Sequence, residues 1–131
     1  MFIMSEIMLR PEVETWYILP FIKKSVTLWL KSKGYKQTEI SQMMAITPAS
    51  VSLYCSGKRA SVIETECQNI AKLISEIVSK ELASQKTLTP TMIYTTIAKT
   101  LQVVESKGLV CQIHKSLSKD DCCIIKNKKV C

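Results

Sequence analysis

Apolar side chains recur at three- and four-residue steps along most of this chain, and that spacing puts them on one face of a helix. Between residues 19 and 33 the series is Leu19, Ile22, Val26, Trp29 and Leu30, and Gly34 then supplies a helix stop. Two short stretches follow, residues 37–44 and 48–54, separated by Ala45, Ile46 and Thr47. Pro48 opens the second, where its missing N–H would have no helical partner. After a polar turn at Ser56, Gly57, Lys58 and Arg59, the residues Ile63, Cys67, Ile70, Ile74, Ile77 and Leu82 form a near-heptad pattern. That pattern predicts one helix of about five turns. Thr89 as N-cap and Pro90 as first residue announce a further helix, with Ile93, Ile97, Leu101 and Val104 on one face up to Lys107 and Gly108. The expected fold class is therefore all-α, a bundle of about five helices with no room for a sheet. A cysteine-rich tail of no clear periodicity follows, over residues 108–131.

The composition agrees: 131 residues, 47% hydrophobic and 22% charged, with three glycines, suit a compact helix-rich protein that needs no disulfide to fold. Every apolar run is interrupted well short of the ~18 residues that span a bilayer, so no membrane is expected as a partner. The opening MFIMSEIML lacks a basic start and carries Glu6, unlike an export signal, and a cytoplasmic location is expected. The net charge of +7 is unevenly spread. Residues 1–60 carry eight cations against four anions, residues 61–107 five against five, and residues 108–131 five against two. A basic surface attracts a phosphate backbone without reading sequence, so this charge permits nucleic-acid binding without demonstrating it.

The two short stretches constrain function more sharply. Counting from Gln37, the fourth and eighth residues, Ile40 and Met44, face inward; the fifth, Ser41, is small where two helices would cross, and the ninth, Ala45, is small in the turn. Ile46, Val51 and Tyr54 are again apolar. Every buried slot of a DNA-reading helix-turn-helix over residues 37–56 is filled acceptably, although glycine is commoner at the turn. The other face of the second stretch carries Thr47, Pro48, Ala49, Ser50, Ser52 and Ser56, short side chains most of which bear hydroxyls. Small residues let a recognition helix approach base edges in the major groove, and hydroxyls bond to bases or phosphates. Gln37 is placed to bind a phosphate at a helix start, and Lys58 and Arg59 are expected backbone clamps. The structural alternative is an ordinary αα-hairpin with a solvated polar face.

The run LPFIKKSVTLWLKSKGYKQTEISQMMAITPASVSLYCSGKRA resembles the lambda-repressor/Cro-type (XRE-like) DNA-binding domain, specifically its small archaeal form. In that form a Pro-Glu-Val element, here Pro11, Glu12 and Val13, precedes Leu-Pro, here Leu19 and Pro20, and Ser-Gly-Lys-Arg closes the motif. The likeness covers residues 11–60 and implies a transcription regulator that binds operator DNA as a dimer. The resulting organisation is a DNA-binding domain over residues 1–60, long dimerising helices over 61–107 and the tail.

In the tail, Cys111 and His114 have metal-ligand spacing, and Cys122, Cys123 and Cys131 follow. Thiolates and an imidazole would suit zinc or an iron–sulfur cluster. A disulfide from Cys111 to Cys122 or Cys123, and inert thiols, are the alternatives. The archaeal relatives resemble this tail in a Leu-Cys-x-x-His-like element, but close with a Cys-x-x-Cys pair, whereas Cys122 and Cys123 are contiguous. An upstream cysteine pair of that form falls on Ala98 and Leu101 here. Cys67 reads as core, and Cys55 lies within the recognition helix.

The expected function is thus a sequence-specific, dimeric, double-stranded-DNA-binding regulator responsive to metal, an iron–sulfur cluster or redox state. The alternative is a helix-turn-helix bridging protein that touches DNA weakly. An enzyme is not expected: there is no phosphate-cradling glycine loop, no carboxylate pair near His114 and no Ser-His-Asp set.

Overall fold

A computed structural model describes residues 9–117. Those residues are all-helical, with no strand among them. The elements are α1 (Arg10–Val13), a π-helical segment (Glu14–Ile18), α2 (Leu19–Ser32), α3 (Gln37–Met44) and α4 (Pro48–Cys55). After these come α5 (Val62–Glu66), α6 (Gln68–Ala83), α7 (Pro90–Ser106) and α8 (Leu109–Leu117). The eight α segments exceed the expected five for three reasons, each visible in the packing.

First, α2 is not preceded by a free start. α1, the π segment and α2 run on without a break, with Pro20 inside the continuous helix. Proline there would clash with the carbonyl four residues back. The π spacing widens that turn: the Leu19 amide donates to the Glu14 carbonyl five residues earlier, and Pro20 then follows without a donor to satisfy.

Second, the helix expected over residues 63–82 is broken at Cys67, whose backbone (φ −138°, ψ 62°) ends α5 and starts α6. Cys67 keeps the chain hydrogen-bonded across the break, donating to the Ile63 carbonyl (2.8 Å) and accepting from the Ala71 amide (2.9 Å). The change of direction lets Ile63, Ile70, Ile74, Val78 and Leu82 all reach the interior, with Val78 taking the slot expected for the half-buried Ile77.

Third, the described start of the tail, Leu109–Leu117, is helical where its sequence showed no period. Leu109, Val110 and Ile113 of α8 are buried and belong to the same core as Val13, Ile22, Leu30 and Ile74. α8 meets α1, α5 and α7, so the two ends of the described chain lie together.

Helix α7 keeps its expected caps, with Thr89 Oγ1 accepting from the Met92 amide (3.2 Å) and Pro90 first in the helix. Its buried face is Ile93, Thr96, Thr100 and Val104, while Ile97 and Leu101 are half-buried. Threonine is tolerated inside because each hydroxyl donates to its own helix, Thr96 to the Met92 carbonyl (2.9 Å) and Thr100 to the Thr96 carbonyl (2.8 Å). Lys24 of α2 is 4% exposed and forms an ion pair with Glu64 of α5. No helix among the described residues is long and apolar enough to cross a membrane.

Candidate nucleic-acid interface

Helices α3 and α4, each of eight residues, are held by one repeated device. At the end of α2, Gly34 (φ 94°) lets its own amide reach the Lys31 carbonyl (3.1 Å) and the Tyr35 amide reach Leu30 (3.2 Å). At the end of α4, Gly57 (φ 77°) does the same, with Gly57 donating to Tyr54 (3.2 Å) and Lys58 to Leu53 (3.1 Å). These are Schellman ends, which need a left-handed residue after the last turn. Between α3 and α4 the same pair of bonds forms, Ala45 to Gln42 (3.4 Å) and Ile46 to Ser41 (3.0 Å), but the left-handed residue is Ala45 (φ 56°, ψ 42°). A Cβ in this region costs about 1 kcal/mol. Ala45→Gly should therefore raise stability by about 0.5–1 kcal/mol, read as an upward shift of the denaturation midpoint with an unchanged slope.

Ile40, Ser41, Val51 and Tyr54 are buried and anchor the pair, while Met44 and Ile46 are half-buried against the core. Ser41 is small and satisfied, its hydroxyl donating to the Thr38 carbonyl (2.9 Å). At the start of α3 the Lys36 amide donates to Glu39 Oε1 (2.9 Å), and Gln37, the first helical residue, is half-buried. Thr47 caps α4 by accepting from the Ser50 amide (3.1 Å), and Pro48 follows it.

Burying Val51 and Tyr54, with Leu53 and Cys55 half-buried beside them, turns the opposite face of α4 outward. Thr47, Pro48, Ala49, Ser52 and Ser56 are exposed, as are Lys58 and Arg59 beyond it, and Ser50 is half-buried. All the sequence-predicted binding residues other than Gln37 thus border one helix and the turn after it. From Ile40 to Ile63 the chain has no carboxylate, so Lys58 and Arg59 are the charges of this stretch.

One network ties the turn to the helix. Arg59 Nη1 donates to Ser50 Oγ (3.0 Å), Thr47 Oγ1 donates to the same oxygen (3.0 Å), and the Arg59 guanidinium lies 5.8 Å from the Tyr54 ring centroid. Because Ser50 Oγ accepts twice, what it can offer a ligand is its own proton, which suits an acceptor such as a phosphate oxygen or guanine O6. This network was not legible in the sequence, since Arg59 lies nine positions from Ser50, beyond a left-handed glycine.

In the tail, Cys111 (8% exposed) and His114 (5%) are buried one turn apart on α8, and His114 Nε2 has no hydrogen-bond partner among the described residues. Cys122, Cys123 and Cys131 lie outside the described residues. Cys111 is disulfide-bonded, the alternative to a metal site at this position, and no group of three candidate metal ligands occurs among the described residues. Cys55 and Cys67 are the free thiols among those residues, Cys67 in the core as expected and Cys55 half-buried against it. No protein-family model matches this chain, and no curated protein and no solved structure matches it either.

Proposed function

We propose that this protein is a sequence-specific double-stranded-DNA-binding transcription regulator of the lambda-repressor/Cro type that reads the major groove with α4. The observation that carries the proposal is the outward face of α4. Its side chains are short, many carry hydroxyls, and it lies in a carboxylate-free stretch that ends in Lys58 and Arg59. A groove wall of phosphates repels carboxylates and excludes bulk, and this surface has neither. Gln37 at the start of α3 is assigned to the phosphate on the opposite side of the groove.

Selection from a randomised duplex pool tests the reading. An operator should emerge that binds at least about a thousandfold more tightly than random duplex. A ratio near unity would leave the competing reading, a bridging protein with weak DNA affinity. Lys58→Ala should weaken selected and random duplexes alike, by several-fold at about 0.1 M salt, and lower the salt slope by about one.

A two-fold dimer is part of the proposal, with half-sites about one helical turn apart. Tyr94 of α7, 74% exposed, is an apolar surface within the helices assigned to that pairing. Control through the tail, by thiol oxidation or by a metal or cluster taken up once the Cys111 disulfide is reduced, rests on Cys111 and His114, buried one turn apart. Metal content and thiol count of anaerobically purified protein decide it: zinc, iron with sulfide, or an oxidisable thiol pair is expected, and metal-free protein with redox-inert thiols removes this control.

A further inference from the structure

A cavity of about 300 Å³ opens between the π segment, the end of α4 and the start of α5, beside the proposed reading helix. Its walls include Trp16, Tyr17, Pro20, Tyr54 and Val62, and Arg59 is the only charged residue lining it among the described residues. Trp16 is 49% exposed and Val62 37%, so both can be reached from solvent. The volume is at the lower end for small-molecule sites, which are apolar clefts with a few placed polar groups.

We infer that this cavity binds a planar aromatic carboxylate, its ring against Trp16, Tyr17 and Tyr54 and its carboxylate on Arg59. Three aromatic rings and a proline present flat apolar faces that favour stacking. A guanidinium with no carboxylate among the described lining residues is complementary to one anionic group, which it can grip with two parallel N–H donors. The nearby Glu64 is committed to Lys24.

The site has a consequence for α4. Arg59 now donates to Ser50 Oγ, which also accepts from the helix cap Thr47. A ligand carboxylate competes for that guanidinium and draws it off Ser50, so that occupancy alters the surface offered to DNA. This second step rests on the proposed function; binding in the cavity does not.

Calorimetry on the full chain, without DNA, tests binding with 2-naphthoate against the neutral 2-naphthylmethanol. The acid should bind at least about tenfold more tightly than the alcohol. Arg59→Gln should erase that difference, and Trp16→Ala, at a half-exposed site and with its fold checked by circular dichroism, should weaken both ligands. Equal affinities for acid and alcohol, or Trp16→Ala retaining wild-type affinity, would overturn the site. Saturating 2-naphthoate should further change duplex affinity several-fold in the wild type and not in Trp16→Ala; an unchanged affinity at full occupancy overturns the coupling. If no duplex is bound at all, the DNA-reading assignment fails while the calorimetry still judges the cavity.

Discussion

Replacing Ser52 by glutamate is expected to abolish sequence-specific DNA binding, with a loss of at least about a hundredfold in operator affinity. Ser52 is exposed in the middle of α4, on the side opposite the buried Val51 and Tyr54. If α4 lies in the major groove, a glutamate there brings a larger side chain against base edges and a negative charge between two phosphate rows. The same substitution leaves the fold alone, since glutamate is a good helix former and an exposed site away from caps shifts stability by no more than about 0.5 kcal/mol. Circular dichroism and the melting curve should stay at wild type while the operator complex disappears from a binding titration. Ser52→Glu that binds the operator normally would remove α4 from the groove, whatever the behaviour of Lys58→Ala.

The second large effect concerns stability. Lys24 is the buried cation of α2, and Glu64 of α5 is its partner. Glu64→Gln leaves an ammonium inside the protein without a counter-charge, and breaking a buried pair in this way costs about 3–5 kcal/mol when both partners are enclosed. Glu64 is 46% exposed, so water relieves part of that penalty and a loss of about 2 kcal/mol is expected. Adding Lys24→Met should recover most of it, because an apolar side chain of similar length needs no partner. Denaturant titrations of the wild type, the single and the double variant make the comparison. If Glu64→Gln unfolds at the wild-type midpoint, the pair holds nothing, and α5 is placed by its packing against the π segment, α6 and α8.

The pair also illustrates why the candidate site was only half legible. Lys24 sits beside Lys23 in the sequence, and nothing in the periodicity distinguishes the half-buried lysine from the buried one. The partner that makes burial tolerable is 40 residues away. The arrangement of Arg59, Ser50 and Tyr54 is hidden for the same reason. By contrast, the residues of the α4 face follow directly from which positions are apolar, because burying Val51 and Tyr54 points Thr47, Pro48, Ala49, Ser52 and Ser56 outward.

What the sequence determined by itself is local. Gly34 and Gly57 stop α2 and α4, Thr47–Pro48 and Thr89–Pro90 start α4 and α7, and the three- to four-residue spacing makes the described chain helical. Each rests on a backbone preference or a hydrogen bond between near neighbours, which the residue types alone dictate. Tertiary structure decided the rest. The break at Cys67 has no glycine or proline to announce it and arises because Ile63 and Ile70 must both reach one core from differently directed helices. The helix of residues 109–117 gains its order from packing against α1 and α7, and Thr96 and Thr100 are buried because their hydroxyls find carbonyls within α7. A short helix is marginal in water until its apolar face is covered. Which face is covered, and by what, depends on segments far apart in the chain, and no local pattern encodes that.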